Sequence, residues 1–181
     1  MALIPATRRS YKRPIPLLLY GPSGVGKTET AQFLSRLLGG RVFRSQFSMF
    51  QNQDFSTYLF GGRHNESSFA RDLLDRETNI ILLDEFDKAH SLFHSAFYQF
   101  FDECVFEDRN YRVHAPRVII ICTSNYNSSS EIREKLGEPI FSRFAAHIRF
   151  ESLKEEHLLQ IAEIRLGEQL ADLSSKDREQ I

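Results

Sequence analysis

Short runs of apolar residues alternate with amphipathic segments along this chain, and the alternation predicts an α/β fold. Uninterrupted apolar runs are typical of central parallel strands, whereas apolar residues three or four positions apart are typical of helices packed on a sheet. Strands that alternate with helices predict a parallel sheet with helices on both faces. The predicted strands are residues 15–20, 42–47, 79–83, 117–122 and 146–150. The predicted helices are residues 28–38, 67–75, 91–104, 128–136 and 153–172, with weaker helix potential at 55–60.

Phenylalanine is unusually frequent, so we expect a core rich in aromatic rings. The 181 residues include 16 Phe and no Trp. Within the helix predicted at 91–104, Phe93, Phe97, Phe100 and Phe101 recur at helical spacing. Such a stripe is typical of a helix face buried in a core. We therefore expect these rings to pack inside the protein rather than to form a ligand surface.

Composition and charge exclude several classes of protein. A net charge of −1 gives no overall attraction to nucleic acid or to an anionic membrane, and no apolar stretch approaches the ~20 residues needed to span a bilayer. Cys104 and Cys122 lie in a helical pattern and an apolar run, so both are expected to be buried thiols in a reducing compartment. The composition predicts a soluble, cytoplasmic protein, with a loose basic arm at residues 1–12.

The first predicted strand ends at a glycine-rich loop, GPSGVGKT at positions 21–28. The segment matches G-x-x-x-x-G-K-[ST] at every fixed position, directly after a strand and at the start of a helix. Glycines let the backbone turn tightly, so that successive N–H groups and the helix dipole point at an anion. Lys27 supplies a positive charge for the β- and γ-phosphates, and the Thr28 hydroxyl is placed to bind magnesium.

The position of this loop between a strand and a helix favours a nucleoside triphosphate site over a glycine-rich turn without function. Magnesium bound there would keep several waters and phosphate oxygens as its other ligands. The residues expected to contact the nucleotide are Gly21, Pro22, Ser23, Gly24, Val25, Gly26, Lys27, Thr28 and Glu29.

A second signal is an acidic pair at the end of the central apolar strand, where Ile80–Leu83 runs directly into Asp84 and Glu85. A carboxylate at this end of a strand, beside the phosphate loop, can hold magnesium through its waters, and we assign that role to Asp84. Glu85 suits polarising a water for attack on the γ-phosphate. The alternative is an acidic turn after a buried strand. Because both motifs occur together, we predict hydrolysis of a magnesium–nucleotide complex, with Lys27 and Glu85 catalytic.

With both motifs placed, the chain resembles the AAA+ superfamily, and within it the Clp-type unfoldases, from residue 13 to about residue 170. The resemblance rests on LLLYGPSGVGKTETAQFL, ILLDEFDKAH at 81–90, QFFDE at 99–103, VIIICTSN at 118–125 and GEPIFSRF at 137–144. It implies a three-layer P-loop NTPase fold with a central parallel five-stranded sheet in the order 5-1-4-3-2. It also implies ATP rather than another nucleotide, together with Mg²⁺.

Two further site residues are implied by the resemblance alone. Asn125 looks like the sensor that orients the attacking water; the alternative is an Asn that caps the following serine-rich turn. Arg143 looks like the arginine finger, which in this family acts on the nucleotide of a neighbouring subunit. The alternative for Arg143 is a surface salt bridge. A finger implies a homo-oligomer, usually a ring of six.

The resemblance also divides the chain, with a large ATPase subdomain at 13–150 and the truncated start of a helical lid at 151–181. One departure concerns the segment at 58–70, YLFGGRHNESSFA. It is shorter than in Clp-type unfoldases and lacks their Gly-Tyr-Val-Gly pore loop. We expect Phe60, next to two glycines in this segment, to pack inside the protein instead.

These observations predict an AAA+ ATPase resembling Clp-type chaperones, which couples hydrolysis to conformational work on a protein client. One alternative is a non-threading nucleotide switch or adaptor that regulates a larger complex, which the missing pore loop favours. Another is a DNA-linked motor such as a helicase loader. The near-neutral charge and the DKAH sequence at 87–90 speak against a nucleic-acid partner.

Overall fold

A computed structural model describes residues 13–38, 40–49, 53–64, 66–89 and 91–172. The basic arm predicted at residues 1–12 lies outside the described residues, as do residues 173–181. By backbone contacts the chain divides into two compact units, Met1–Phe150 and Glu151–Ile181. Within the described part of the chain, no helix is both long and apolar enough to cross a membrane.

The first unit alternates strands and helices, as the apolar pattern predicts. Its strands are β1 (Ile15–Tyr20), β2 (Phe43–Gln46), β3 (Ile80–Asp84), β4 (Val105–Glu107), β5 (Arg112–His114), β6 (Ile119–Ser124) and β7 (Ala146–Arg149). Its helices are α1 (Lys27–Leu37), α2 (Gln53–Phe60), α3 (Phe69–Leu74), α4 (Ser91–His94), α5 (Tyr98–Glu103), α6 (Ser129–Leu136) and α7 (Glu138–Phe141). The second unit contains helix α8 (Glu155–Asp172).

Five strands form one parallel sheet in the order β2-β3-β6-β1-β7. Numbered along the chain, these five strands stand in the order 5-1-4-3-2, so the predicted topology is confirmed. Every residue of β3 is buried, as expected of a strand with neighbours on both sides and cover on both faces. The carboxyl ends of β3, β6 and β1 therefore lie side by side at one edge of the sheet.

Alternate side chains of the central strands enter two separate cores. Leu83 and Cys122 belong to the larger cluster, whereas Leu82 and Ile121 belong to the smaller one with Ala31 of α1. This division follows from the two-residue period of a strand, which sends successive side chains to opposite faces. The sheet is thus covered on both faces, which explains why its central strands have no polar interruption.

The larger core is rich in aromatic rings, and Phe69 contacts several of them. Phe69 is fully buried, and its ring lies 4.6 Å from that of Phe106 and 5.5 Å from that of Phe97, centroid to centroid. Edge-to-face pairs of this kind stabilise a core beyond the area that they bury. The predicted burial of Phe97, Phe100 and Phe101 is confirmed, whereas Phe93 is only partly buried against this core.

Truncating Phe69 to alanine is expected to lower the free energy of unfolding by about 3–5 kcal/mol, because it leaves a cavity among rings that cannot collapse into it. Urea denaturation of the two proteins measures the difference. The matched control is Phe33→Ala on α1, where the ring is 51% exposed and the expected change is within about 0.5 kcal/mol. Equal losses at the two positions would contradict this account of the core.

The segment predicted as one helix at 91–104 is interrupted. Helices α4 and α5 are separated by a tighter 3₁₀ turn at Ser95–Phe97. This turn brings Phe97 to 5.5 Å from the ring of Phe86, centroid to centroid. Phe97 also contacts the rings of Phe47, Phe69, Phe101 and Phe106, and we attribute the interruption of the helix to this packing.

Strands β4 and β5 and helix α7 were not predicted, and one burial was predicted wrongly. Strands β4 and β5 form an antiparallel hairpin, but each has only three residues, which is too short for a two-residue period to be recognised. The four-residue helix α7 is missed for the same reason. Phe60 is 42% exposed at the end of α2, so the expectation that it packs inside is wrong, although its ring lies 5.9 Å from that of Phe93.

Candidate active site

The glycine-rich loop connects β1 to α1 at the carboxyl edge of the sheet. Gly21 passes so close to the Phe150 carbonyl that a Cβ would clash with that oxygen. Gly26 caps α1 in the left-handed conformation, with φ 94°, which glycine adopts without strain. The two glycines therefore explain how the chain can turn here and open a helix N-terminus toward the loop.

Lys27 folds back across this loop. Its Nζ donates to the carbonyl oxygens of Gly21 and Pro22, at 2.8 and 2.6 Å, and to Oδ1 of Asn125, at 3.1 Å. Asn125 follows the last residue of β6, the strand next to β3. The Oδ1 of Asn125 is thus engaged with Lys27, and helix α6 is capped by the Ser128 side chain instead; the sensor role of Asn125 stays a prediction.

The ammonium of Lys27 lies in a partly desolvated, acidic environment. Burial lowers the pKa of Lys27, while the carboxylates of Asp87, Asp84 and Glu85 act in the opposite direction. A buried ammonium is stabilised by nearby anionic oxygens. Phosphate oxygens in this loop would therefore favour the charged form of Lys27.

The Asp84 carboxylate, which is almost fully buried, accepts hydrogen bonds on both oxygens. Oδ1 accepts from the hydroxyl groups of Thr28, at 3.0 Å, and Thr123, at 2.5 Å. Oδ2 accepts from the Arg44 guanidinium, from Nε at 3.0 Å and Nη2 at 2.5 Å. The carboxylate thus joins the phosphate loop to β6 on one side and to β2 on the other.

Glu85 follows Asp84 in the left-handed conformation, with φ 56°. Its backbone N–H donates to the Thr123 hydroxyl at 2.9 Å, and its Oε2 accepts from Nε2 of Gln46 at 3.2 Å. The next residue, Phe86, is fully buried in the aromatic core. The reversal of the backbone at Glu85 therefore leaves its carboxylate beside the tip of β2 while the chain returns to the core.

These groups line one open cavity of about 370 Å³. Most of the polar residues predicted from the sequence lie in it, and the structure brings the loop and the acidic pair together. Its lining consists of Ser23, Gly24, Gly26, Lys27, Thr28, Glu29, Arg44, Gln46, Asp84, Glu85, Thr123 and Asn125. The predicted residues Gly21, Pro22, Val25 and Arg143 are not part of this lining.

Arg143 is engaged elsewhere in its own chain. Its Nε donates to Oδ2 of Asp102 at 2.9 Å, and its Nη1 donates to the Pro139 carbonyl. The guanidinium also lies 4.4 Å from the centroid of the Tyr98 ring. The ion pair with Asp102 agrees with the salt-bridge alternative, and a role on a neighbouring subunit remains a prediction.

Three residues of the cavity escaped the sequence analysis, namely Arg44, Gln46 and Thr123. Gln46 pairs in register with Asp84 across the sheet, so Arg44 and Gln46 lie at the carboxyl end of β2 beside the acidic pair. Polar residues at alternate positions near the end of a strand are a usable signal once the strand order is known. For Thr123 the usable signal is the run of three polar residues at 123–125, at the carboxyl end of β6.

The donor set fits a hard divalent cation. Thr28 Oγ1 and Asp84 Oδ1 are oxygens 3.0 Å apart at the base of the loop, and Mg²⁺ prefers a few oxygen ligands supplemented by waters and phosphate. No sulfur or imidazole group lines the cavity among the described residues. The arrangement can therefore bind a phosphate chain, a magnesium ion and, beside Glu85, an attacking water.

The family described as AAA domain (Cdc48 subfamily) matches residues 12–163. Among curated proteins, the chain is similar to a ClpA homolog protein of Fuscovulum blasticum, at 30% identity over 91% of this chain and 24% of that protein. It is also similar to the Clp protease ATP-binding subunit ClpE of Bacillus subtilis, at 30% identity over 88% of this chain and 28% of that protein. The chain therefore spans about a quarter of the length of these relatives.

Solved structures share the fold. A closed-state structure of Hsp104 with ATPγS and FITC casein has a TM-score of 0.76 at 20% identity, over 92% of this chain and 34% of that chain. The complex of Saccharomyces cerevisiae Hsp104 with ADP has a TM-score of 0.71 at 21% identity, over 87% and 32% of the two chains. The fold described above is thus shared with Hsp104.

Proposed function

Because the chain belongs to the AAA domain family (Cdc48 subfamily), among the Clp-type AAA+ ATPases, we propose that it binds ATP with magnesium and hydrolyses it at the cavity described above. The observation that carries the proposal is the contact between the Thr28 hydroxyl and the Asp84 carboxylate. It joins the phosphate loop to the acidic strand end, with Lys27 and Glu85 lining the same cavity. Two motifs distant in sequence therefore form one site.

The chemistry assigns a separate task to each side chain. Backbone N–H groups of the loop and the Lys27 ammonium bind the β- and γ-phosphates, while Thr28 and Asp84 hold magnesium. A magnesium ion held by these two residues would supply positive charge against the negative charge that develops on the phosphate oxygens. Glu85 accepts a proton from the attacking water.

Asn125 is proposed to orient the attacking water. Its Oδ1 accepts from Lys27 in this structure. A γ-phosphate would draw Lys27 toward itself, because the phosphate oxygens carry more charge than an amide oxygen. The amide of Asn125 would then be released to hold the water opposite the bond that breaks.

We further propose that subunits form a ring, in which Arg143 contributes to the site of a neighbouring subunit and the ring acts on a protein client. The ring is usually of six subunits in this family. Arg143 already has a fixed position against Asp102 and Tyr98, and a pre-organised guanidinium loses less entropy when it meets a phosphate. The buried thiols of Cys104 and Cys122 support a reducing, cytoplasmic setting.

Replacing Lys27 with alanine tests the binding half of the proposal. The variant is expected to bind ATP about 10- to 150-fold more weakly, because it loses a charged hydrogen bond worth about 1.5–3 kcal/mol. Equilibrium titration with a fluorescent ATP analogue in magnesium buffer measures the change. Lys135→Ala, on the exposed surface of α6, is the matched control and is expected to bind as the parent does. Equal affinities of the parent and the Lys27 variant would refute the site.

The segment at residues 60–64 favours a second candidate, a non-threading nucleotide switch. The Phe60 carbonyl accepts from the Arg109 N–H at 3.0 Å, and Asn110 donates to the Gly62 carbonyl at 3.1 Å. His64 also stacks on Tyr111. The segment is therefore held on the tip of the β4–β5 hairpin, in the region where Clp-type unfoldases carry their pore loop. Capture of an extended, unfolded polypeptide during ATP turnover would argue against the switch.

A further inference from the structure

The Arg44 guanidinium contacts the acidic strand end from the side opposite the phosphate loop. It donates twice to Oδ2 of Asp84, whereas Oδ1 accepts from Thr28 and Thr123. The two oxygens of one carboxylate therefore have separate partners. Oδ1 faces the loop where magnesium is proposed to bind, and Oδ2 faces a cation that belongs to the protein.

The Asp84 side chain is buried while its partner Arg44 is partly exposed, and this difference indicates what the ion pair does. The Asp84 side chain is 4% exposed, and that of Arg44 is 40% exposed. A buried carboxylate without a compensating charge is strongly destabilising, so Arg44 compensates Asp84 when no metal is bound. The guanidinium itself remains partly in water, where it can shift without disrupting the core.

Two cations that share one carboxylate oppose each other. Magnesium at Oδ1 and the guanidinium at Oδ2 both attract Asp84, but they repel each other across a distance of a few ångströms. Arg44 therefore stabilises the metal-free site at the expense of metal affinity. A residue of this kind sets the magnesium concentration at which the site fills.

We propose that Arg44 is a positioning residue that replaces the charge of magnesium at Asp84 and thereby tunes the magnesium requirement of nucleotide binding. The proposal rests on the function proposed above for Asp84. It assigns Arg44 no direct contact with the phosphates. Arg44 acts only through the carboxylate, by offsetting the charge of Asp84 from the Oδ2 side while no metal is bound at Oδ1.

The first test titrates magnesium into the complete chain with a fluorescent ADP analogue. Arg44→Gln is expected to lower the half-saturating magnesium concentration about three- to tenfold, because the repelling charge is gone. Arg44→Lys keeps a positive charge beside Asp84 and is therefore expected to stay closer to the parent than Arg44→Gln does. Arg112→Gln, an exposed arginine of β5 in an ion pair with Glu107, is the matched control.

An unchanged or higher magnesium requirement in Arg44→Gln would overturn the proposal. A second contradictory result would be a fall in affinity for the ADP analogue in EDTA that is larger than the fold-change in half-saturating magnesium concentration. Such a fall would indicate that Arg44 contacts the phosphates directly.

A second test needs no nucleotide, so it remains informative even if the chain hydrolyses nothing. In EDTA, Arg44→Gln is expected to melt at a lower temperature than the parent. Millimolar magnesium chloride is expected to raise the melting temperature of Arg44→Gln more than that of the parent. It is expected to leave the melting temperature of the double variant Arg44→Gln, Asp84→Asn unchanged. Equal magnesium effects in parent and Arg44→Gln would overturn the proposal, whereas failure of ATP turnover alone would count only against the proposed function.

Discussion

Replacing Glu85 with glutamine is expected to lower ATP turnover by about 10²- to 10⁴-fold while ATP binding is retained. Glutamine has the size of glutamate but cannot accept a proton from the attacking water. The contacts of Lys27, Thr28 and Asp84 do not involve the Glu85 side chain, so the phosphate site stays intact. Steady-state phosphate release and equilibrium binding of a fluorescent ATP analogue, measured on the same preparation, separate the two effects.

The control for this variant is Glu134→Gln on α6, where the carboxylate is largely exposed and pairs with Lys135 on the surface. It changes the net charge by the same amount and should hydrolyse ATP at the rate of the parent. Unchanged turnover in Glu85→Gln would show that Glu85 is not the base. The proposal that the acidic pair hydrolyses ATP in this cavity would then be wrong.

Replacing Arg143 with alanine is expected to have the other large effect, a fall in turnover of about 10³- to 10⁵-fold at protein concentrations where the ring forms. The reason is loss of a guanidinium that stabilises the charge on the transferring phosphoryl group of the neighbouring subunit. Turnover per subunit in the parent should also rise with protein concentration. Both quantities come from phosphate-release assays run alongside mass measurements in solution.

A mixing experiment distinguishes action between subunits from action within one. Arg143→Ala supplies intact nucleotide sites, and Lys27→Ala supplies intact arginines, so a mixture of the two inactive proteins should recover turnover. The matched control is Arg112→Ala, which also removes an arginine from an exposed ion pair. A surface salt bridge between Arg143 and Asp102 would instead contribute at most about 1 kcal/mol to stability, with no change in turnover and no recovery on mixing.

The sheet could be predicted from the sequence because its central strands are covered on both faces and thus appear as apolar runs. Their order came from the resemblance to AAA+ proteins, since apolar runs alone do not say which strands are neighbours. The hairpin at 105–114 could not be predicted, because three-residue strands carry no usable periodicity. The break in the helix at Ser95–Phe97 depends on rings that arrive from distant parts of the chain, such as Phe69 and Phe86.

The candidate site was predictable where one short segment carries both the backbone shape and the chemistry, as in the loop at 21–28. It was not predictable where contacts depend on register between strands. Arg44 and Gln46 meet the acidic pair only because Gln46 lies opposite Asp84, and a shift of one residue would turn both side chains to the other face of the sheet. Nothing in the local sequence around β2 specifies that register.

The position of Phe86 links Glu85, the proposed base, to the cooperative unfolding of the domain. This ring directly follows Glu85, and it stacks on His94 and contacts the rings of Phe97 and Phe144. Local opening of the acidic turn would therefore require the aromatic cluster to come apart, and such openings cost nearly as much as global unfolding. Glu85, the proposed base, is therefore expected to lose its position only when the aromatic core unfolds, so destabilising variants should lose turnover and folded structure together.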